Sequence, residues 1–368
     1  MSTKKDKFSS KDKKYMSLAL NLARARIGLT GENPSVGCVI VKKNNIISIG
    51  QTGLFGRPHA EYNAINNSLQ NLSGSKMYVT LEPCNHYGKT PPCTNYIIKS
   101  GISEIFYSLD DIDKRVKGKS FNILKKKQIK VQKGLLKNQA KEVYQAYIIN
   151  RIYKLPYVTG KIVVSKNNLI YSKGTKRISD KTSDKLTHYL RYKNDAIMIS
   201  SKTLNIDNPK LNCRLKGYEK FSPKRIILDK NLEINLNSYI VKSSKMDNTV
   251  LFHNSSNYKK MKFLRKKGVL LVKSKLDHFK SFDLKLILRK LYKLNIRNLL
   301  VEGGDILTKS FVNKKLFNKF YMFKSNKKLT RFKNHTFFTS DRLLNKKYGY
   351  NLMSRSKLAN DNITVYRK

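Results

Sequence analysis

Three side chains scattered over two short phrases constrain this 368-residue chain more than any other feature. PHAEYNAI (58–65) carries His59, and VTLEPCNHYGKTPPC (79–93) carries Cys84 and Cys93 on either side of eight loop-forming residues. One imidazole and two thiols suit a borderline-soft ion such as zinc. To bring them together, a helix opening near His59 must lie beside a strand at MYVTL (77–81) and a second helix opening near Cys93. The start, MSTKKDKFSSKDKK, reads as a frayed basic tail without the apolar core of a secretory signal. No apolar run approaches the roughly 18 residues of a membrane span. The four cysteines are therefore expected in a reducing cytoplasm, where close Cys and His spacing suggests metal before disulfide.

The surrounding periodicity is that of a sheet covered by helices. KYMSLALNLARARIG (14–28) repeats its apolar residues at helical spacing and ends on Gly28, a C-cap. VGCVIV (36–41) and NIISIG (45–50) read as strands joined by a Lys-Asn turn. Thr90 is expected to cap a helix with proline at its first position, closing at Gly101, before the strand EIFYSL (104–109). The order α-β-β-α-β-α-β implies helices packed on a sheet. Around INRIYKLPY (149–157) the pattern restarts, so domains of 1–148 and 155–368 are expected. The second offers strands at 157–165, 195–201, 224–229, 249–253, 268–272 and 298–304, with amphipathic helices such as FDLKLILRKLYKL (282–294) between several of them. That alternation implies a mostly parallel α/β sheet. The lysine-rich C-terminal end yields no expected element.

Three protein ligands leave the fourth tetrahedral position of zinc open to water, which marks a catalytic site rather than a closed structural one. Zinc lowers the pKa of such a water to roughly 7. Glu61, two residues after His59 on the same helix start, is placed to take the water's proton and pass it to a ring nitrogen and a leaving amine. Both thiols are expected near helix N-termini, where the dipole favours thiolate. His-Ala-Glu followed by Pro-Cys and a second Cys resembles the zinc-dependent cytidine and base deaminases. Cys38, inside the strand VGCVIV, reads as core.

The loop NHYGKTPP is longer than the two residues usual between the cysteines of such deaminases. It resembles that of the bifunctional riboflavin-biosynthesis deaminase/reductase family, and NPSVGCVIV (33–41) is similar to the family's N-P-x-V-G-C-V-I-V. The resemblance implies a cytidine-deaminase-like three-layer α/β/α domain followed by a dihydrofolate-reductase-like α/β domain. It makes Asn33, His86 and Lys89 contacts to a phosphorylated pyrimidine substrate. HYLRYKNDAIMISSKTLNIDNPKLNCR (188–214) resembles the block L-R…D-A-I…S-x-T-x-x-x-D-x-P-x-L-x-x-R of the second domain, an NADPH-dependent reductase. Carried over, Arg191 and Arg214 become substrate contacts, with the backbone at Leu211, and two arginines near the ends of parallel strands are expected to clamp the substrate's phosphate. Thr203 and Asp207 become cofactor contacts. In LLVEGGDIL (299–307), Glu302 takes the acid position of the substrate pocket. Gly303 and Gly304 would let backbone N–H groups approach a cofactor phosphate at a helix N-terminus. Lys161 stands at the family's strand lysine, and Thr175 at a nearby polar substrate contact.

Several positions depart from the family pattern. Ser165-Lys166-Asn167-Asn168 replaces S-L-D-G, Arg177 stands for a tryptophan in the cofactor region, Lys230 for a serine, and Asp110-Asp111-Ile112-Asp113 for D-P-N-P. The implied function is deamination of 2,5-diamino-6-(5-phosphoribosylamino)pyrimidin-4(3H)-one on zinc, then NADPH reduction of its ribosyl group to ribityl. Two other readings stay open. One is a deaminase whose reductase domain has degenerated. The other is a tRNA-type deaminase with a basic docking domain, which would use the formal charge of +52, from 76 Lys+Arg against 24 Asp+Glu. It explains neither the eight-residue loop nor the Thr203–Arg214 block. The lysines are spread over almost every segment and tryptophan is absent, as compositional drift would produce, so no nucleic-acid or membrane partner is expected. Oligomeric state stays open, a homo-oligomer included.

Overall fold

The computed structural model describes residues 7–171, 177–246, 248–331 and 335–368. They form two compact units, one running through Lys154 and one from Leu155 to Lys368.

The first unit runs α1 (Ser10–Arg26), β1 (Gly37–Lys42), β2 (Asn45–Gln51), α2 (Ala60–Asn66), β3 (Lys76–Val79), α3 (Cys93–Lys99), β4 (Glu104–Tyr107), α4 (Lys119–Lys126), β5 (Lys130–Lys133), α5 (Lys137–Val143) and α6 (Gln145–Tyr153). The sheet order is β2-β1-β3-β4-β5. β1 is antiparallel to both neighbours, and β3, β4 and β5 are parallel. Lys43 and Asn44, at φ 49° and 65°, make the expected hairpin turn between β1 and β2.

Two glycines decide how closely helices cover this sheet. Gly50 pairs with Cys38, the neighbour of Gly37, so Gly37 and Gly50 point to opposite faces. A Cβ on Gly37 would come within 1.9 Å of the Ala19 carbonyl oxygen in α1. One on Gly50 would come within 2.2 Å of the Ala60 carbonyl oxygen in α2. The two helices thus press on opposite faces of the sheet, giving the α/β/α layering.

Two local expectations are corrected. α1 begins at Ser10, not in the region of Lys14, because Ser9 and Asp12 form a capping box: Ser9 Oγ accepts from the Asp12 N–H and Asp12 Oδ2 from the Ser9 N–H. α3 begins at Cys93 with Pro92, not Thr90, at its N-cap. A proline disfavours helical geometry in the residue before it, so Pro92 keeps Pro91 extended and delays the helix.

The second unit runs β6 (Tyr157–Val164), β7 (Leu169–Tyr171), α7 (Lys181–Tyr192), β8 (Ala196–Ser200), α8 (Ser201–Asp207), β9 (Lys224–Leu228), α9 (Tyr239–Lys242), β10 (Thr249–His253), α10 (Tyr258–Lys266), β11 (Leu270–Lys273), α11 (Leu284–Lys293), β12 (Asn298–Val301), α12 (Asp305–Asn313), β13 (Lys319–Ser325), β14 (Thr336–Phe337), β15 (Asn351–Leu358) and β16 (Asp361–Arg367). A nine-stranded sheet has the order β11-β10-β9-β8-β12-β6-β13-β16-β15. It is parallel from β11 to β13 and antiparallel across β13, β16 and β15. The three antiparallel strands occupy the C-terminal end, where the sequence showed none. β15 is exposed along almost its whole length, so it has no buried face to impose an apolar alternation.

Candidate active sites

In the first unit, His59 is the N-cap of α2 and Glu61 its second residue. Cys84 lies in the turn after β3, and Cys93 opens α3. Their ligand atoms all lie within 4.8 Å of one another. His59 Nδ1 is 3.4 Å from Cys93 Sγ and 3.6 Å from Cys84 Sγ. The Cys93 N–H donates to Cys84 Sγ at 3.3 Å, so the start of α3 serves both thiols. Hydrogen bonding from Cys93 pulls the Cys84 thiol down to about 4, with the His59 ring adding to the effect. Glu61 is buried (4% exposed), and burial pushes its carboxyl up to about 7 against the opposing charge of His59. Cys38 is fully buried core.

A brace behind Cys84 had no signal in the sequence. The buried Glu82 carboxylate accepts the backbone N–H groups of Asp111, Gly118 and Ser120. Ser120 Oγ donates to the Pro83 carbonyl at 2.6 Å, and the Asn85 amide donates to Ser120 Oγ and the Val116 carbonyl. Glu82 stands inside the quoted motif, but its partners come from a segment about 30 residues away, which only folding brings back. The same segment holds the departure at 110–113, where Asp111 Oδ1 accepts from the Asp113 N–H and the Tyr147 hydroxyl.

Beyond Asn85, the eight-residue loop is tethered again at Thr90 and Tyr87. Arg57 donates to Thr90 Oγ1, and the Asn95 amide donates to the Tyr87 hydroxyl at 3.3 Å. His86 is half-buried, and its Nδ1 is buried without a partner among the described residues. Lys89 is exposed. Asn33 donates to the Gly56 carbonyl at 2.9 Å, which anchors the turn leading into His59.

In the second unit a cleft of about 1620 Å³ gathers Lys161, Arg177, Arg191, Thr203, Asp207, Arg214, Glu302, Gly303 and Gly304. Leu211 is buried at φ 58° and is not among the lining residues, and Thr175 lies outside the described residues. Lys161 is on β6, and Glu302 follows β12, its N–H bonded to the Met198 carbonyl. Arg191 is not at a strand end, as a phosphate clamp was expected to be. It sits on α7, where its Nε and Nη2 grip both oxygens of Glu302 at 3.0 Å and its Nη1 bonds the Asn212 carbonyl. Lys161 Nζ approaches Glu302 Oε2 at 3.8 Å. Burial would raise the Glu302 carboxyl, but the Arg191 and Lys161 charges outweigh it and hold the group at about 2. Burial lowers the Lys161 ammonium, with Glu302 opposing.

Arg214 is in the loop after α8, its N–H donating to His188 Nδ1 at 3.2 Å. Burial, reinforced by Arg191 and Arg214, holds His188 down to about 4. A neutral ring with an acceptor nitrogen follows. Arg177 pairs with Asp184, which also accepts from Ser179 Oγ. Gly304 is the N-cap of α12. A Cβ there would meet only Ile170 at 3.7 Å, whereas one on Gly303 would crowd Leu307 at 2.7 Å.

Residues 9–109 match the family described as cytidine and deoxycytidylate deaminase zinc-binding region. Residues 169–346 match the RibD C-terminal domain. The riboflavin biosynthesis protein RibD of Aquifex aeolicus is 36% identical over 314 residues, 85% of this chain and 86% of that protein. The chain belongs to the RibD family. RibD of Buchnera aphidicola is 31% identical over 89% of this chain and 90% of its own. Among solved structures, Acinetobacter baumannii RibD superposes with a TM-score of 0.81 at 26% identity, covering 97% of this chain and 98% of that one. A diaminohydroxyphosphoribosylaminopyrimidine deaminase/5-amino-6-(5-phosphoribosylamino)uracil reductase of Thermotoga maritima gives 0.80 at 28% identity, over the same shares.

As a RibD, the chain is a bifunctional enzyme of riboflavin biosynthesis, a deaminase in its first half and a pyrimidine reductase in its second, with zinc and NADPH as cofactors. Both cofactors fit the residues present. The two thiols and one imidazole are a zinc donor set with room for a fourth ligand. The cleft carries Lys161, Lys202, Arg214 and Lys230 together with the open N-terminus of α12, which suits a pyrophosphate-bearing ligand. One departure from the RibD pattern has a plain physical account. Asn168 stands where the family has glycine and adopts φ 61°, a left-handed conformation that asparagine tolerates better than most residues. Asn167 ties the same turn to Leu329 through both its amide nitrogen and its oxygen.

Proposed function

We propose that the first half deaminates 2,5-diamino-6-(5-phosphoribosylamino)pyrimidin-4(3H)-one and that the second reduces the ribosyl group of the resulting 5-amino-6-(5-phosphoribosylamino)uracil to ribityl. The observation that carries the reading is a buried Glu61 beside three converged metal donors. His59, Cys84 and Cys93 hold the zinc, whose Lewis acidity makes water a nucleophile near neutral pH. Glu61 takes the water's proton as oxygen adds to the amine-bearing ring carbon. It returns that proton to the ring nitrogen and then helps the amine leave as ammonia. Asn33 and His86 orient the pyrimidine, and Lys89 meets the phosphate as a point charge.

In the second half a bound NADPH would supply the hydride that reduces C1 of the opened ribose. Gly303, Gly304, Thr203, Asp207 and Arg177 hold the cofactor. Lys161 faces the reacting carbon and handles the proton. Arg214, presented by neutral His188, binds the substrate phosphate, with the Leu211 backbone and Thr175 completing that pocket. Arg191 acts on the substrate through Glu302, whose carboxylate it fixes in place. The domains proposed for these activities are 1–148 and 155–368. The cytoplasm, where NADPH and reduced thiols coexist, is the proposed location; all four cysteines are free.

The test supplies purified protein with zinc, the diamino substrate and NADPH, following ammonia and NADPH together. Release of ammonia and loss of NADPH in a one-to-one ratio is expected. Ammonia without NADPH loss would remove the reductase assignment, and neither signal would remove both.

A further inference from the structure

One rim of the reductase cleft carries a side chain that the chemistry above does not use. Phe279, in the connection between β11 and α11, lines the cleft and is 77% exposed. Its backbone is pinned on every side. Asp277 Oδ1 accepts from the N–H groups of Phe279 at 3.1 Å and Ser281 at 3.0 Å. The Asp277 N–H donates to the Ser281 carbonyl at 2.7 Å, and its carbonyl accepts from the Lys280 N–H. Lys314, just past α12, reaches Asp277 Oδ2 at 3.0 Å. At the base, Leu276 and Phe282 form a β-bridge. The His278 ring packs against Phe279 with centroids 3.9 Å apart.

A large apolar ring held this firmly at a cleft rim, with most of its surface uncovered, is built to receive another flat ring. The charge beside it says what kind. Lys230 and Lys280 line the same rim, Lys230 Nζ reaching the Lys280 carbonyl at 3.4 Å. An aromatic platform flanked by ammonium groups matches a base that carries phosphate, because stacking tolerates any base and the cations take the charge. The Lys161–Glu302–Arg191 cluster lies on other segments of the lining, and the Phe323 ring beside Lys161 is fully buried.

We propose that Phe279 is the adenine platform of the NADPH site, the ring stacking on the cofactor's base while Lys230 and Lys280 face its phosphates. The proposal rests on the reductase reading and deepens it.

The chain has no tryptophan, so Phe279→Trp introduces a single indole reporter at the rim. The probe is 2′,5′-ADP, which has the adenine and the 2′-phosphate but no nicotinamide. Saturable quenching of the indole is expected, at concentrations matching the affinity of the unsubstituted protein measured by calorimetry. Phe279→Ala is expected to weaken 2′,5′-ADP and raise the KM for NADPH by about tenfold or more, as loss of one base–aromatic stack does, with kcat kept and Phe279→Tyr restoring affinity. If the unsubstituted protein binds 2′,5′-ADP while the indole stays unquenched and Phe279→Ala binds equally well, adenine lies elsewhere and the proposal fails alone. Quenching by the phosphoribosylamino-uracil instead of 2′,5′-ADP would also overturn it, assigning the platform to substrate. If the unsubstituted protein binds neither 2′,5′-ADP nor NADPH, the reductase reading falls and takes this one with it.

Discussion

Each half of the molecule buries one glutamate at its reactive centre, and the two are driven in opposite directions. Glu61 is raised to about 7, since burial disfavours its charge and outweighs the opposing charge of His59 and the hydrogen bonds it accepts. The Glu302 side chain is only 12% exposed, yet it is held at about 2, because Arg191 grips both of its oxygens and Lys161 stands nearby. Burial disfavours the charge in both places, and the cations in contact decide the direction of the shift. A carboxyl near neutrality can take and return a proton. One held far below neutrality is a permanent charge that orients its neighbours. A divalent ion beside Glu61 adds a charge of the lowering kind, yet the first acid still serves transfer and the second placement.

The sharpest way to break this comparison is to remove the metal. Chelation is expected to abolish ammonia release while NADPH oxidation continues on supplied 5-amino-6-(5-phosphoribosylamino)uracil; loss of both would mean that the halves do not act separately. Next comes Glu61→Gln, which should cut deamination by about 10²–10⁴ with the zinc content of the protein unchanged by elemental analysis. Wild-type turnover in that variant would leave proton transfer to another group.

Glu302→Gln should act chiefly on stability and reduction. It strands Arg191 and Lys161 in the interior, and breaking a buried pair this way costs about 3–5 kcal/mol, read as a lower denaturation midpoint of the second half. The pH dependence sharpens the point. The depressed Glu302 stabilises fully above its ordinary value of 4.5, and that contribution fades as pH falls towards about 2. The unsubstituted second half should therefore lose stability between pH 4.5 and 2 more steeply than Glu302→Gln does. Parallel pH profiles would contradict the assignment. The smallest effect concerns the departure at residue 168. Asn168→Gly should be neutral within a few tenths of a kcal/mol, and Asn168→Ala should cost about 1 kcal/mol through its left-handed backbone, both read by urea denaturation.

The two sites also differ in how far they could be read before folding. His59, Glu61, Cys84 and Cys93 come from two short phrases, because metal donors must converge within a few ångströms and local helix starts can supply that. The cleft draws on segments from Lys161 to Thr336, since a long cofactor is held by surface, and resemblance rather than spacing pointed to its residues. The expected clamp of two arginines illustrates the gap. Arg191 carries the right charge at the right motif position, but a helix turns it onto Glu302, which no spacing rule announces. Phe279 had no signal at all, as an isolated exposed aromatic in a loop looks like any other. The capping box of Ser9 and Asp12, by contrast, was present in plain letters and was hidden only by the basic tail around it.

By itself the sequence determined the order of helices and strands through most of the chain, the donor set for zinc and the acid beside it, because these follow from periodicity and from chemistry written within a few residues. The tertiary structure alone decided which face of the first sheet each helix covers, through the close approaches at Gly37 and Gly50. It also decided the Glu82 brace behind Cys84, the cations around Glu302 and the strands of the C-terminal end. All of these depend on contacts between segments far apart in the chain, and such contacts exist only once the entropy of bringing them together has been overcome by burial.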